Sequence, residues 1–147
     1  MNNEALAEGS VAVDRNGLIS RPLTEDEELY KENILDHYKN PRNKGTLPKY
    51  THCHRELNPV CGDEIEIFVN LVAGRIDSIS FLGKGCAISQ ASASLLGEQI
   101  KGKSLQEVHK LAPWNIYNLL GIPISHSRSK CALLPLKTIQ EGLKSWH

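Results

Sequence analysis

Three cysteines stand in three different local settings. Cys61 lies in Asn58-Pro59-Val60-Cys61-Gly62-Asp63 and Cys86 in Gly83-Lys84-Gly85-Cys86-Ala87-Ile88-Ser89. Cys131 lies in Arg128-Ser129-Lys130-Cys131-Ala132-Leu133-Leu134. The first two follow the glycine or proline punctuation of a tight loop, and the third opens an apolar helical run. Three thiolates and one carboxylate, Asp63, make a four-ligand set for a soft metal ion. Oxygen binds soft iron more weakly than thiolate sulfur does, so the mixed set suits a site that gives up its contents. A permanent structural zinc site prefers four Cys or His ligands. Lys84 and Lys130 could balance the negative charge of such a site, and Gly62 and Gly85 keep bulk away from it.

The remaining ligand-type residues read differently. In His52-Cys53-His54 an extended strand puts the two imidazoles on one face and the thiol on the other, so the three do not converge without a turn. His37 reads as a helix-surface or packing group. His126, five residues before Cys131 (131 − 126), stands close enough in sequence to visit the site. No Ser–His–acid constellation and no Walker loop is present. Gly83 and Gly85 imitate the start of a GxGxxG element, but position 88 is Ile88.

Periodicity supplies the elements that must bring these residues together. Thr24-Glu25-Asp26-Glu27 has capping-box spacing, and Leu29, Tyr30, Ile34, Leu35 and Tyr38 recur at helical spacing after it. Asn40-Pro41 stops that helix. A first strand is expected over Tyr50–Leu57. Ile65, Ile67, Val69 and Leu71 alternate with Glu64, Glu66, Phe68 and Asn70, which predicts a second strand. Ala73-Gly74 turns the chain into a third, Ile76–Leu82. A helix is expected from about Ala87 to Ile100, its stripe of Ala and Ser allowing close packing. Ser104-Leu105-Gln106-Glu107 is a second capping box. A short helix follows Pro113, and a last helix starts near Ser129, with Pro135 tolerable only in its first turns or at a kink. The pattern predicts an α+β fold: a small antiparallel sheet of about three strands with helices packed on one side. The hairpin places the positions before its first strand and after its second at one sheet edge. Residues 1–23 read as a flexible N-terminal arm and 24–147 as one domain.

The bulk composition narrows the rest. The chain has 147 residues, with 17 basic and 17 acidic side chains. A zero formal charge gives no global pull toward nucleic acid or anionic membrane. Aromatic residues are 5% of the chain, too few for a run of base-stacking platforms. No apolar run is long enough to span a membrane, and the N-terminus has no secretory signal core, so the expected compartment is the cytoplasm. There, four cysteines point to metal or sulfur chemistry rather than to disulfides.

At these motifs the chain resembles the U-type iron–sulfur cluster assembly scaffold family: IscU, SufU and the N-terminal domain of NifU. The resemblance rests on Asp36-His37-Tyr38-Lys39-Asn40-Pro41-Arg42-Asn43 and the Cys61 and Cys86 segments. It extends to Ala91-Ser92-Ala93-Ser94, Gly102-Lys103 and Lys130-Cys131-Ala132-Leu133-Leu134. It implies a SufE/NifU-like fold, with the family's three cysteines at Cys61, Cys86 and Cys131 and its aspartate at Asp63. It implies a transient [2Fe-2S] cluster on these residues, with Zn2+ as an alternative occupant. The implied sulfur donor is a pyridoxal-phosphate cysteine desulfurase, and apo iron–sulfur proteins are the implied acceptors. Cys131 is the suspected persulfide acceptor, Asp63 the residue that keeps the site labile, and Lys130 a supporting cation. Lys130 stands where IscU has histidine, as in SufU, while the Cys86–Cys131 gap of 45 (131 − 86) is close to that of IscU. Gly121-Ile122-Pro123-Ile124-Ser125 replaces the chaperone-recognition motif of IscU, which argues against a dedicated Hsp70 partner. Three functions stay open at this point: a scaffold for a labile cluster, a zinc-dependent sulfur acceptor that stimulates the desulfurase, and a structural zinc module for protein binding.

Overall fold

The structure, a computed structural model, describes residues 23–60 and 62–144. Residues 1–22 of the expected arm, Cys61 and residues 145–147 lie outside the described residues. Helix α1 spans Glu25–Lys39, followed by strands β1 His52–Asn58, β2 Asp63–Val72 and β3 Arg75–Lys84. Helices α2 Ala87–Ile100, α3 Leu105–His109, α4 Pro113–Leu120 and α5 His126–Leu143 complete the chain. The strands form one antiparallel sheet in the order β1-β2-β3, and the helices pack on one side of it, as the sequence pattern predicts.

Register follows from burial. Ile67 stands opposite Phe81 and Val69 opposite Ile79, so both strands put their apolar set on the face that the helices cover. A slip by one residue would turn that whole set to the other face. On the opposite face, Tyr50 packs edge-on against Phe68 at a centroid distance of 5.3 Å. Tyr50 therefore stands outside the strand that the sequence assigns to it, and β1 begins at His52. Ala73 and Gly74, both with positive φ, make the two-residue turn of the β2–β3 hairpin.

Both capping boxes form. The Thr24 hydroxyl accepts from the Glu27 amide and the Glu27 carboxylate accepts from the Thr24 amide, each at 3.1 Å. Ser104 and Glu107 repeat the arrangement at α3. Helix α2 departs from an amphipathic pattern, since ten of its 14 residues are buried. It runs through the middle of the helical layer, against β3, α1, α4 and α5. Alanine, serine and glycine dominate it because neighbours approach from every side.

The Asp36–Asn43 motif is the latch between α1, α2 and the sheet. Ser94, fully buried in α2, accepts from the Arg42 amide at 2.8 Å. The same hydroxyl is hydrogen-bonded to His37 Nδ1, 2.7 Å away. Arg42 pairs with Asp36 at 2.6 Å, and the Asn43 amide donates to Glu98 of α2 at 2.7 Å. Beyond α1 the chain runs along the free edge of β3. The Phe81 amide donates to the Asn43 carbonyl and the Gly45 amide to the Phe81 carbonyl, each at 2.8 Å.

Helix α5 begins at His126, three residues before the Ser129 start that the sequence suggests (129 − 126). Pro135 consequently lies in the helix interior, buried, where it cannot give the amide proton that the Cys131 carbonyl would receive in an unbroken helix.

Burial, joined by the Arg42 charge, lowers the proton affinity of His37 below its usual 6.5, against a weaker pull from Asp36 and Glu98. The unfolded chain then binds the proton more readily, so His37 favours folding above about pH 6.5 and that share is lost as pH falls toward the folded-state value. Denaturant melts between pH 7.5 and 5.5 should show stability falling with pH, and the slope should be shallower in His37→Asn. Equal slopes in the two proteins would contradict the latch.

Candidate metal centre

The sheet's register assembles the site. Glu64 pairs with Lys84, so Asp63 at the start of β2 meets the Gly85-Cys86 step that follows β3. Asn58 pairs with Asp63, so the end of β1 lies beside the same corner. Asp63 is 1% exposed. Its Oδ1 accepts from the Cys86 amide at 3.0 Å, and its Oδ2 lies 3.6 Å from the Cys86 Sγ. Cys86 is the N-cap of α2. A buried carboxylate costs several kcal/mol unless its oxygens find donors, on the order of the desolvation penalty for an ion. The amide of a helix N-terminus is such a donor.

Gly85 is required by this contact. Its φ of +138° is a conformation that side-chain-bearing residues rarely take, and a Cβ there would run into the Asp63 carboxylate. The glycine framing visible in the sequence is thus a steric condition for carboxylate and backbone to touch.

Helix α5 brings the third ligand. Cys131 is fully buried, and its sulfur, the Cys86 sulfur and an Asp63 oxygen all lie within 4.8 Å of one another. Tetrahedral zinc with bonds of about 2.0–2.3 Å needs ligand atoms roughly 3.3–3.8 Å apart, so small side-chain rotations would bring these three within reach of one ion. Two sulfurs and a carboxylate oxygen fit zinc or iron, and fit magnesium or calcium poorly. Cys61, the expected fourth ligand, lies outside the described residues.

Among the described residues, Arg128, which the sequence pattern did not single out, is a cation at the site. Its guanidinium bonds the Cys131 side chain and lies in the field of Cys86 and Asp63. That hydrogen bond and those charges, against partial burial, hold its proton more tightly than in an ordinary guanidinium. The two lysines expected near the site have other neighbours among the described residues. Lys130 is exposed and borders a groove with Val60, Leu133 and Lys137, while Lys84 reaches Glu64 at 3.7 Å. Helix geometry explains the choice. Residue i−3 shares a face with residue i, and residue i−1 does not. Because α5 begins at His126, Cys131 sits in its second turn, away from the unpaired amides that open the helix, and a positive side chain stands beside it instead.

The other candidates stay apart. Cys53 is exposed on β1. His52 and His54 share the opposite, helix-covered face, as strand alternation predicts, and His54 meets Glu56 at 2.6 Å. His126 is exposed at the start of α5. Among the described residues no helix is long and apolar enough to cross a membrane.

Comparison with known families settles the lineage. The model of the NifU-like N-terminal domain matches residues 29–147. The chain belongs to this family. Within it, the domain is 34% identical over 132 aligned positions to the zinc-dependent sulfurtransferase SufU of Bacillus subtilis, covering 78% of this chain and 89% of that protein. It is 33% identical over 132 positions to the iron–sulfur cluster assembly scaffold protein IscU of Thermotoga maritima, covering 79% and 93%. A solved structure of a candidate iron–sulfur cluster assembly scaffold for the SUF system, from Fervidobacterium islandicum, superposes with a TM-score of 0.68 at 34% identity. That match covers 80% of this chain and 98% of the other. The NifU-like domain thus joins a family fold to an Asp63/Cys86/Cys131 cluster suited to zinc or iron–sulfur ligation.

Substituting Gly85→Ala should force the Asp63 carboxylate off the Cys86 amide. Zinc affinity, read by competition with a chromogenic chelator, should fall by at least about tenfold, the usual scale for disturbing a ligand's supports. Unchanged affinity would show that the Asp63–Cys86 contact does not shape the site.

Proposed function

We propose that this NifU-like domain is a scaffold for iron–sulfur cluster assembly. Cys61, Cys86, Cys131 and Asp63 hold the iron, and sulfur arrives as a persulfide from a pyridoxal-phosphate cysteine desulfurase. The convergence of Asp63, Cys86 and Cys131 on one corner carries this reading. In the transfer, the Cys131 thiolate attacks the outer sulfur of the donor persulfide. A sulfur–sulfur bond forms at Cys131, the donor's bond breaks, and its electron pair leaves on the donor cysteine as thiolate. Arg128 steadies the attacking thiolate while it is off the metal. Converting the delivered sulfur to sulfide requires an electron pair from an external reductant. Asp63, the weakest ligand, opens first and lets the product pass to an apo acceptor protein.

A second reading, a zinc-dependent sulfur acceptor, is favoured by Arg128. A guanidinium at a cysteine competes with a metal for the same thiolate and marks Cys131 as the ligand that leaves to accept sulfur. The relative named a zinc-dependent sulfurtransferase supports the same possibility. A purely structural zinc module accounts for neither the guanidinium nor the carboxylate ligand.

Anaerobic reconstitution with iron, cysteine, a cysteine desulfurase and dithiothreitol separates the readings. The scaffold reading predicts about two irons and two sulfides per site. Stable zinc with a persulfide on Cys131 and no cluster would decide for the acceptor. In Asp63→Ala, transfer of the cluster to an apo ferredoxin should slow by on the order of tenfold. Immediate loss of the cluster in that variant would contradict the releasing role of Asp63.

A further inference from the structure

The site is built from two bodies. Asp63 and Cys86 form one, locked by the Cys86 amide bond and the glycine contact at Gly85. Cys131 belongs to the other, helix α5. Apolar packing between α2 and α5 is non-directional and fixes their axial offset only loosely. A directional bond across that seam would fix it.

One such bond is present. The Ser92 hydroxyl of α2 donates to the Ala132 carbonyl of α5 at 2.7 Å, with both residues buried. It lands one residue beyond Cys131, in the turn where Pro135 interrupts the helix's own hydrogen bonding. The neighbouring buried serines serve other elements. Ser89 bonds the Cys86 carbonyl at 3.1 Å, within its own helix, and Ser94 holds α1 through His37 and Arg42. Ser92 links the two cysteine-bearing helices.

We propose that Ser92 is a positioning residue for the metal centre, its hydroxyl setting the separation between the Cys86 and Cys131 sulfurs by tying α2 to the backbone beside Cys131. The inference rests on the reading that Asp63, Cys86 and Cys131 hold a metal. Removing the hydroxyl breaks this bond across the α2–α5 seam and lets α5 move along α2. Cys86 stays with Asp63, so the displacement appears at Cys131.

Cobalt(II), a spectroscopic stand-in for zinc, tests this on the full chain. Titrations would compare the wild type with Ser92→Ala, Ser92→Thr and Ser94→Ala, and a thermal melt of each metal-free protein would measure the purely structural cost. Ser92→Ala should bind cobalt about tenfold more weakly, with a weakened and shifted thiolate-to-cobalt charge-transfer band. Ser92→Thr, which keeps the hydroxyl, should restore both. Ser94→Ala should melt lower while retaining the wild-type band and affinity. A Ser92→Ala protein that melts lower yet matches the wild-type spectrum and affinity would overturn the positioning role. So would a Ser94→Ala protein that loses affinity equally. A wild type with no thiolate-to-cobalt band would overturn the metal-site reading, and the role of Ser92 with it.

Discussion

A single contact anchors the functional corner of this domain: the buried Asp63 carboxylate accepting the backbone proton of Cys86. Burying an anion at the end of a sheet is unfavourable unless a donor is fixed beside it. The β2–β3 register and the opening amide of α2 supply that donor, and Gly85 supplies the room. The carboxylate thereby bonds the helix that begins at Cys86 while presenting its second oxygen to the sulfur. Structure and chemistry share the same two atoms, so the corner tolerates little change.

Around that contact, buried serines add directional bonds to the apolar packing of the helical layer. Helix α2 is covered on nearly all sides, and its Ser92 and Ser94 hydroxyls reach different partners. Ser94 fastens α1 and the turn after it, while Ser92 joins α5. Hydrogen bonds of this kind add little net stability individually, on the order of 1 kcal/mol, but they are directional. They suit a site whose ligands come from three separate elements.

Much of this was legible from residue patterns. Period-two alternation found β2, and the two capping boxes placed the starts of α1 and α3, because each rests on local chemistry that tertiary packing does not override. The hairpin argument put Cys61 and Cys86 at one sheet edge; Cys61 lies outside the described residues, and Asp63, two residues on, meets Cys86 there. The start of α5 was harder. Ser125, its N-cap, makes no side-chain capping bond, so no capping-box signal announced it. Pro135 pulled the expected boundary downstream, since proline more often marks a first turn than an interior. That displacement hid Arg128, whose i−3 relation to Cys131 has meaning only once the helix is known to include both. The serine bonds were illegible for another reason: small residues in a helix signal close packing, and nothing in their spacing says which carbonyl each one meets.

The proposed ligand set, the thiolates of Cys61, Cys86 and Cys131 with the Asp63 carboxylate on one metal, leaves a signature in the metal's own spectrum. X-ray absorption at the zinc edge of the zinc-loaded full chain reads that signature. The proposed ligands should give a four-coordinate shell with three sulfurs at about 2.3 Å and one oxygen at about 2.0–2.2 Å. A shell of nitrogen and oxygen alone, or one showing the outer scattering of histidine rings, would contradict it.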